Sequence, residues 1–475
     1  MSTITTDVCI IGAGSGGLSA ASGLAQLGLD VTLIERGEMG GDCLNSGCVP
    51  SKALIAVADQ AHLMSKIPFS AITGHPPHID FAEAKMHLQN SIEKIAPHDS
   101  QERFEGMGVR VIRAEATFIS PHEVRAGGDT YKATYYIIAS GARPKTPLIP
   151  GLSMSEILTN ESLLALKKRP EHLAIIGGGP IGMEMAQAHR RLGCEVTVIE
   201  QDKILPREDR ENVSILRGAL IREGIAIYES SPVKSAERNG AHLTLTISSD
   251  GDIREVKCSH IMAAVGRTPN TDTLNLARAE VAFDASGIQT DRRMRTSQSH
   301  IFAIGDITKK PRFTHAAGAQ AGIVVQNIAF KIPAKFNAKL LPRVTYTRPE
   351  VAHIGMTEDD ARNKYNDDYI VTSAAFSEND RSVVSKQTKG QVRVICRKNG
   401  TILGVGIIGP HAGELISLWT LAVTKKMKLK DIAGMVIPYP TLSEVSKRAA
   451  GAFYTPKLFS PMVKKIVQIL KRLPF

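Results

Sequence analysis

Two stretches far apart in this chain repeat one pattern. Val8-Cys9-Ile10-Ile11 is a short apolar, β-rich run that reads as a buried strand. Gly12-Ala13-Gly14-Ser15-Gly16-Gly17 follows at once, then a helical run from Leu18 to Leu27. A second strand, Asp30-Val31-Thr32-Leu33-Ile34, ends at Glu35. The same order returns with the strand Leu173-Ala174-Ile175-Ile176, the turn Gly177-Gly178-Gly179-Pro180-Ile181-Gly182, a helix from Met183 to Leu192, the strand Glu195–Ile199 and the acid Glu200. The interval from Gly12 to Glu35 equals that from Gly177 to Glu200. Glycines permit the tight turn and let the backbone approach a pyrophosphate. The helix N-terminus that follows supplies N–H donors and the positive end of its dipole. The acid ending the second strand can accept hydrogen bonds from a ribose diol.

A glycine turn alone says little. In its strand–turn–helix–strand–acid setting it is specific, and two complete Rossmann-type units imply an α/β chain with two dinucleotides. Gly12, Gly14, Gly17 and Glu35 would serve the first; Gly177, Gly179, Gly182 and Glu200 the second. Glu200 favours NAD(H), because a 2′-phosphate would meet a carboxylate and Gln201-Asp202-Lys203 brings no arginine cluster. Lys203 and Arg207 argue the other way. Between the units, strand-like runs are expected at 109–117, 123–126 and 131–139, and a helix over 83–97. Ile137–Pro144 reads as a strand entering a Gly turn at Gly141, and the Pro147/Pro150 stretch as a linker.

Just after the first unit lies Gly41-Asp42-Cys43-Leu44-Asn45-Ser46-Gly47-Cys48-Val49-Pro50-Ser51-Lys52. Four residues separate Cys43 from Cys48, and Pro50-Ser51 reads as the first turn of a helix. A thiol at a helix N-terminus feels partial positive charge, which favours thiolate. By itself the pair fits a structural disulfide as well as a redox pair. Cys9, Cys194, Cys258 and Cys396 sit in or beside apolar strand runs and read as small buried hydrophobes.

Length and composition exclude several classes. At 475 residues there is room for about three domains. Six cysteines are too few for a secreted disulfide scaffold, the segment Met1–Asp7 has no basic signal region, and no uninterrupted apolar run reaches membrane-spanning length. A cytoplasmic location is expected. The net charge of +11 belongs to the tail: Lys425 to Phe475 holds 11 Lys+Arg against 2 Asp+Glu, so the rest of the chain carries only +2. No nucleic-acid module accompanies it, so nucleic acid is not expected as a partner.

With both fingerprints and the cysteine loop placed, the chain resembles the flavoprotein disulfide reductases (class I pyridine nucleotide-disulfide oxidoreductases) along essentially its whole length. Within them it is similar to dihydrolipoamide dehydrogenases and mercuric reductases. The carriers are the Gly12–Gly17 loop, the Gly41–Lys52 motif, the second fingerprint, Ala264-Val265-Gly266-Arg267-Thr268-Pro269-Asn270 and Ile301-Phe302-Ala303-Ile304-Gly305-Asp306. The resemblance implies two Rossmann-like domains, for FAD and NAD, plus a C-terminal α+β dimerisation domain, working as a homodimer. It implies FAD binding by residues 1–150 and 275–341, NAD binding by 151–274 and an interface domain with a basic tail over 342–475. Asp306 would hold the flavin ribityl chain, Lys52 would sit near flavin N5 and Glu184 on the nicotinamide side. The helix starting near His315 would point its N-terminus at the flavin. Gly41, Gly141, Gly266, Gly305 and His315 count with the cofactor-binding residues; no resident metal site is expected. Electrons would pass from NADH through FAD to a Cys43–Cys48 disulfide, with Cys48 facing the flavin and Cys43 attacking a small or protein-bound disulfide substrate.

The C-terminal domain departs from this pattern. Strands are expected at 392–396 and 403–408, and helices around 412–425 and 442–452. In Pro438-Tyr439-Pro440-Thr441-Leu442-Ser443-Glu444, dihydrolipoamide dehydrogenases have His where this chain has Tyr439. That His, oriented by the acid matching Glu444 and lent by the partner subunit, is their proton shuttle. A phenol titrating near ~10 is a poor substitute at neutral pH. Mercuric reductases carry Tyr there, but also a C-terminal cysteine pair, whereas this chain has no Cys after Cys396. A metal-ion reductase, a membrane-surface NADH:quinone-type oxidoreductase using FAD directly, and a non-enzymatic nucleotide-binding role are the alternatives. From Ser460-Pro461 to Phe475 a basic amphipathic helix is expected, with Val463, Ile466, Val467, Ile469, Leu470 and Leu473 opposite Lys464, Lys465, Gln468, Lys471 and Arg472. It could pack on the protein or its dimer mate, or meet an anionic membrane or an acidic partner.

Overall fold

The computed structural model describes residues 2–75, 77–240, 242–249, 251–309 and 311–473. Its first sheet orders the strands Arg110–Arg113, Val31–Glu35, Thr3–Ile11 and Asp129–Ile138, all parallel. Both faces of the sheet are covered: Val8, Ile10 and Leu33 pack with Leu24 and Val324 of two helices, and Cys9, Ile11 and Ile34 pack with Phe118, Val124 and Leu276. Asp129–Ile138 has two partners on its far side. Its start pairs antiparallel with Glu123–Ala126, and its end pairs parallel with Ile301–Ala303, returning from far along the chain.

The second sheet orders Ala226–Tyr228, Glu195–Ile199, His172–Ile176, His260–Ala263 and Ile157–Leu158, again all parallel. A three-stranded antiparallel sheet, Val233–Asn239, His242–Ser249 and Asp252–Cys258, is inserted before its last crossover. Sequence patterning did not separate these strands. The short strands Ala142–Pro144 and Arg267–Pro269 pair antiparallel, with Gly141 and Gly266 at opposite ends of the pair: Asn270 N donates to Gly141 O and Lys145 N to Gly266 O, both at 3.0 Å.

The C-terminal sheet is antiparallel throughout, in the order Arg343–Thr345, Glu350–Gly355, Ile402–Gly409, Gln391–Cys396, Ile370–Ala375. Helices Ala412–Thr424 and Glu444–Ala452 cover it, and the chain's one tryptophan, Trp419, is fully buried between them, its Nε1 donating to Ser446 Oγ at 3.0 Å. Truncating such a side chain to Ala costs about 3–5 kcal/mol.

Two expectations shift. The single strand at 109–117 is two: Arg110–Arg113 closes the parallel sheet, the chain turns at Ala114–Ala116, and Thr117–Ser120 pairs antiparallel with Glu123–Ala126. The helix expected at 83–97 runs Phe81–Ile95, because Asp80 caps it by accepting from Ala82 N and Glu83 N. The tail helix covers Pro461–Leu470; residues 474 and 475 lie outside the described residues. Cys9, Cys194, Cys258 and Cys396 are buried as free thiols.

Candidate active site

The two glycine turns are built alike. Gly12 and Gly177 have φ of +105° and +113°, and a Cβ on either would lie 2.5 Å from a carbonyl of the neighbouring strand, Ala139 O or Ala264 O. Gly17 and Gly182 lie behind the turns, where a Cβ would meet Gly12 O or Gly177 O at 1.8 or 2.0 Å. Gly14 and Gly179 face outward: a Cβ at Gly179 would meet nothing within 4 Å, and at Gly14 only Gly41 Cα at 4.0 Å. The acids match too. Glu35 accepts from Ala13 N at 2.6 Å and Gly37 N at 2.7 Å; Glu200 accepts from Gly178 N at 2.6 Å and Asp202 N at 3.0 Å. Each carboxylate is held at the mouth of its own glycine loop, with lone pairs left for a ribose diol.

Both turns open into one cleft of about 2150 Å³. Its lining includes Glu35, Gly41, Cys43, Cys48, Lys52, Gly141, Glu184, Glu200, Gly266, Gly305, Asp306 and His315. Sites read from five separate stretches thus share one chamber, with room for two dinucleotides. Gly305 N donates to Gln320 Oε1 at 2.7 Å. Arg267 bridges Asp42, through Nη2 at 3.1 Å, and Asp306, through Nε at 3.5 Å. Burial raises the Asp306 pKa, and Arg267 opposes the shift. The open backbone at Gly14 and Gly179 and the carboxylates of Glu35 and Glu200 fit a dinucleotide at each turn.

Cys43 lies in the short helix Gly41–Asn45, and Cys48 is the first residue of Cys48–Ser65. Cys48 Sγ is 3.2 Å from Thr314 Oγ1, at the first residue of the helix Thr314–Ala329. The Cys48 thiol is pulled down to about 6 by its hydrogen bond from Cys43, then by Thr314 and the Lys52 ammonium, against the opposing cost of burial. Cys43, the donor of that bond, is pushed well above the ordinary thiol range. The two thiols share one proton, and the Lys52 ammonium favours the thiolate on Cys48. His315, beside Thr314, donates from Nε2 to Pro342 O at 2.9 Å and stacks on Phe313.

Lys52 Nζ pairs with Glu184 Oε2 at 2.7 Å; the carboxylate is nearly buried and the lysine is 39% exposed. The same ammonium stands 4.6 Å from the Tyr346 ring centroid, and Tyr346 N donates to Glu184 Oε1 at 2.9 Å. Two turns further along each helix the pairing repeats with charges exchanged: Asp59 of Cys48–Ser65 meets Arg191 of Pro180–Arg191. Glu223, at 2.7 Å from Arg191, and the more exposed Arg348, bonded to Asp59, complete a network centred on the buried Arg191. Two parallel ion pairs of opposite polarity fix the rotation of the helices that carry Lys52 and Glu184. Removing one member of a buried pair costs about 3–5 kcal/mol, because its partner keeps an uncompensated charge.

The family pattern for pyridine nucleotide-disulphide oxidoreductase matches residues 6–321, and that for the family's dimerisation domain matches residues 341–450. The chain belongs to this family. It is an oxidoreductase that uses FAD and a pyridine nucleotide and acts on a sulfur group. A dihydrolipoyl dehydrogenase of Thermus scotoductus is 35% identical, with 98% of this chain and 100% of the relative covered. A mercuric reductase of Lysinibacillus sphaericus is 32% identical over 94% of this chain and 82% of the relative. Among solved structures, LpdA from Mycobacterium tuberculosis superposes with a TM-score of 0.85 at 26% identity, covering 94% of this chain and 99% of that one.

Not every expected residue of this oxidoreductase joins the cleft. Tyr439 is 70% exposed and donates to Asp380 Oδ2 at 3.0 Å; Glu444 Oε2 accepts from Thr441 N at 3.4 Å. Neither lines the chamber of its own chain. The bond to Asp380 and its charge raise the Tyr439 pKa above the ordinary phenol value. Three residues in the site were given no role by the sequence reading. Thr314 and Arg267 each adjoin a residue already singled out, His315 and Gly266, and that adjacency was the available signal. Tyr346 had none, being brought in only by the interface domain. Among the described residues, no helix is long and apolar enough to cross a membrane.

Proposed function

We propose that the protein is an NADH-dependent flavoprotein disulfide reductase working through Cys48 and Cys43 as a homodimer. The observation that carries this reading is the Cys48 thiolate held by Cys43 and Thr314 at the mouth of a helix, beside the Lys52–Glu184 pair. FAD, when bound, supplies the conversion of a hydride into an electron pair that a disulfide can accept. Gly12, Gly14 and Glu35 would hold its adenine half, and Gly41, Gly141, Gly305, Asp306 and Lys52 its flavin half. Gly177, Gly179, Gly266 and Glu200 would hold NADH, with Glu200 selecting a free 2′-hydroxyl. The helix beginning at Thr314 turns its positive end toward the thiolate.

On the substrate side the exchange balances within the chain. Two electrons cleave the Cys43–Cys48 disulfide. Cys43, once deprotonated, attacks one sulfur of the substrate disulfide and expels the other as a thiolate. The Cys48 thiolate then attacks Cys43, restores the enzyme disulfide and releases the second substrate thiolate. The Cys43 proton goes to a departing thiolate. Tyr439 with Glu444, brought by the second copy, would face this proton, but a phenol of raised pKa moves it slowly at neutral pH.

That tyrosine favours one second reading: a soft metal ion as electron acceptor, which takes electrons from the dithiol without a proton shuttle. A reducing, cytoplasmic setting suits a dithiol and four free buried thiols. The return of Ile301–Ala303 to the first sheet supports 1–150 with 275–341 as the FAD domain, 151–274 as the NAD domain and 342–475 as the interface domain. Anaerobic titration of the FAD-loaded protein with NADH and NADPH, followed by lipoyl, other disulfide, Hg(II) and quinone acceptors, tests the proposal. Reduction by NADH and discharge by a disulfide are expected. Discharge by quinone alone, surviving loss of both cysteines, would overturn it.

A further inference from the structure

The helix Pro461–Leu470 starts at Ser460, whose side chain accepts from Val463 N, and none of its residues is buried. On a wheel of about 100° per residue its apolar side chains fall on one side. Met462 is 71%, Ile469 64% and Leu470 55% exposed, and Phe459, just before the helix, is 67% exposed. Lys464 and Lys465 take the opposite side, and Lys471 and Arg472 follow in the closing turn. From Val445 to the last residue the chain has no Asp or Glu. This segment lies beyond the matched dimerisation domain and outside the cleft lining.

An apolar stripe left in water needs a cover, and the charge beside it says which cover fits. A second copy offers no negative surplus: its first 424 residues carry +2 and its own tail is basic. Tail against tail would set lysine against lysine. A surface of anionic phospholipid satisfies both sides at once, taking the apolar stripe into the acyl boundary and the lysines among its phosphates. We propose that Pro461–Leu470 with its flanking residues is an interfacial anchor that docks the protein on an anionic bilayer surface. A homodimer presents two such helices, and the second adds avidity to the first. The helix lies in the membrane plane, leaving the cleft in water.

Sedimentation of the full-length, FAD-loaded protein with phosphatidylcholine vesicles, and with vesicles also containing phosphatidylglycerol, tests this. The expected result is co-sedimentation with the phosphatidylglycerol vesicles, weakened by salt. Lys464→Glu/Lys465→Glu and Ile466→Ser/Leu470→Ser should each lower vesicle affinity on the order of tenfold or more, with NADH-driven disulfide turnover unchanged. Absence of vesicle binding, binding equal on neutral and anionic vesicles, or variants that bind as well as the parent would each overturn the proposal. So would a variant that leaves vesicle binding intact but dissociates the dimer in sedimentation equilibrium, because the stripe would then belong to the second copy.

Discussion

The two cysteines of one short loop face unlike surroundings. Around Cys48 everything is tied down: Thr314 at 3.2 Å, Lys52 paired with Glu184, Tyr346 against both, and the Asp59–Arg191 pair bracing the helices behind. Around Cys43 stand Ser15, Thr314 and Cys48 itself, its proton is favoured on sulfur, and the family's acid–base position is a tyrosine exposed outside the cleft of its own chain. In the proposed relay the flavin-facing half is completed within one chain by the Lys52–Glu184 and Asp59–Arg191 charge pairs. In the same proposal the substrate-facing half would draw on Tyr439 of a second copy, a group not matched to neutral pH.

The largest expected effect separates the halves outright. Cys43→Ser should reduce disulfide turnover at least about a thousandfold while flavin bleaching by NADH in stopped flow persists; turnover above that floor would mean that Cys43 is not the attacking sulfur. Glu184→Gln strikes the other half. It leaves Lys52 without its partner and should slow flavin bleaching by about 10- to 100-fold, with KM for the disulfide unchanged. A changed KM alone would move Glu184 from the nicotinamide side to the substrate side.

Tyr439→His tests whether the missing base limits exchange. Disulfide turnover near pH 7 should rise about tenfold or more, and the alkaline rise in rate expected of the parent should flatten. No gain would favour the metal-ion acceptor. The smallest effect is electrostatic. The Cys48 thiol lies at about 6, below the ordinary 9.0, so its thiolate contributes stability that is present above the unfolded value and lost as pH falls through about 6. Thr314→Val should move the thiolate absorbance midpoint upward and bring that loss on at higher pH. An unmoved midpoint would leave Cys43 and Lys52 as the whole cause.

Much of this was legible because dinucleotide turns are local. Gly12, Gly17 and Glu35 lie within one strand–turn–helix–strand unit, so spacing alone relates them, and Gly177, Gly182 and Glu200 repeat the relation. The cysteine loop and the tail's two-sided helix are local as well. The three-stranded sheet at 233–258 was not separated, because its strands pair within a short stretch of mixed residues. Tyr346 escaped because its meaning depends on a lysine nearly three hundred residues earlier.

The sequence by itself therefore determined the two nucleotide units, the closely spaced cysteine pair and the amphipathic tail, since each rests on neighbours along the chain. Only the tertiary structure decided which cysteine is the thiolate and that Asp59, Arg191 and Arg348 brace the Lys52–Glu184 pair. It also decided that Tyr439 stands outside its own chain's cleft. These outcomes depend on distances between helices from different units, and packing sets such distances whereas spacing does not.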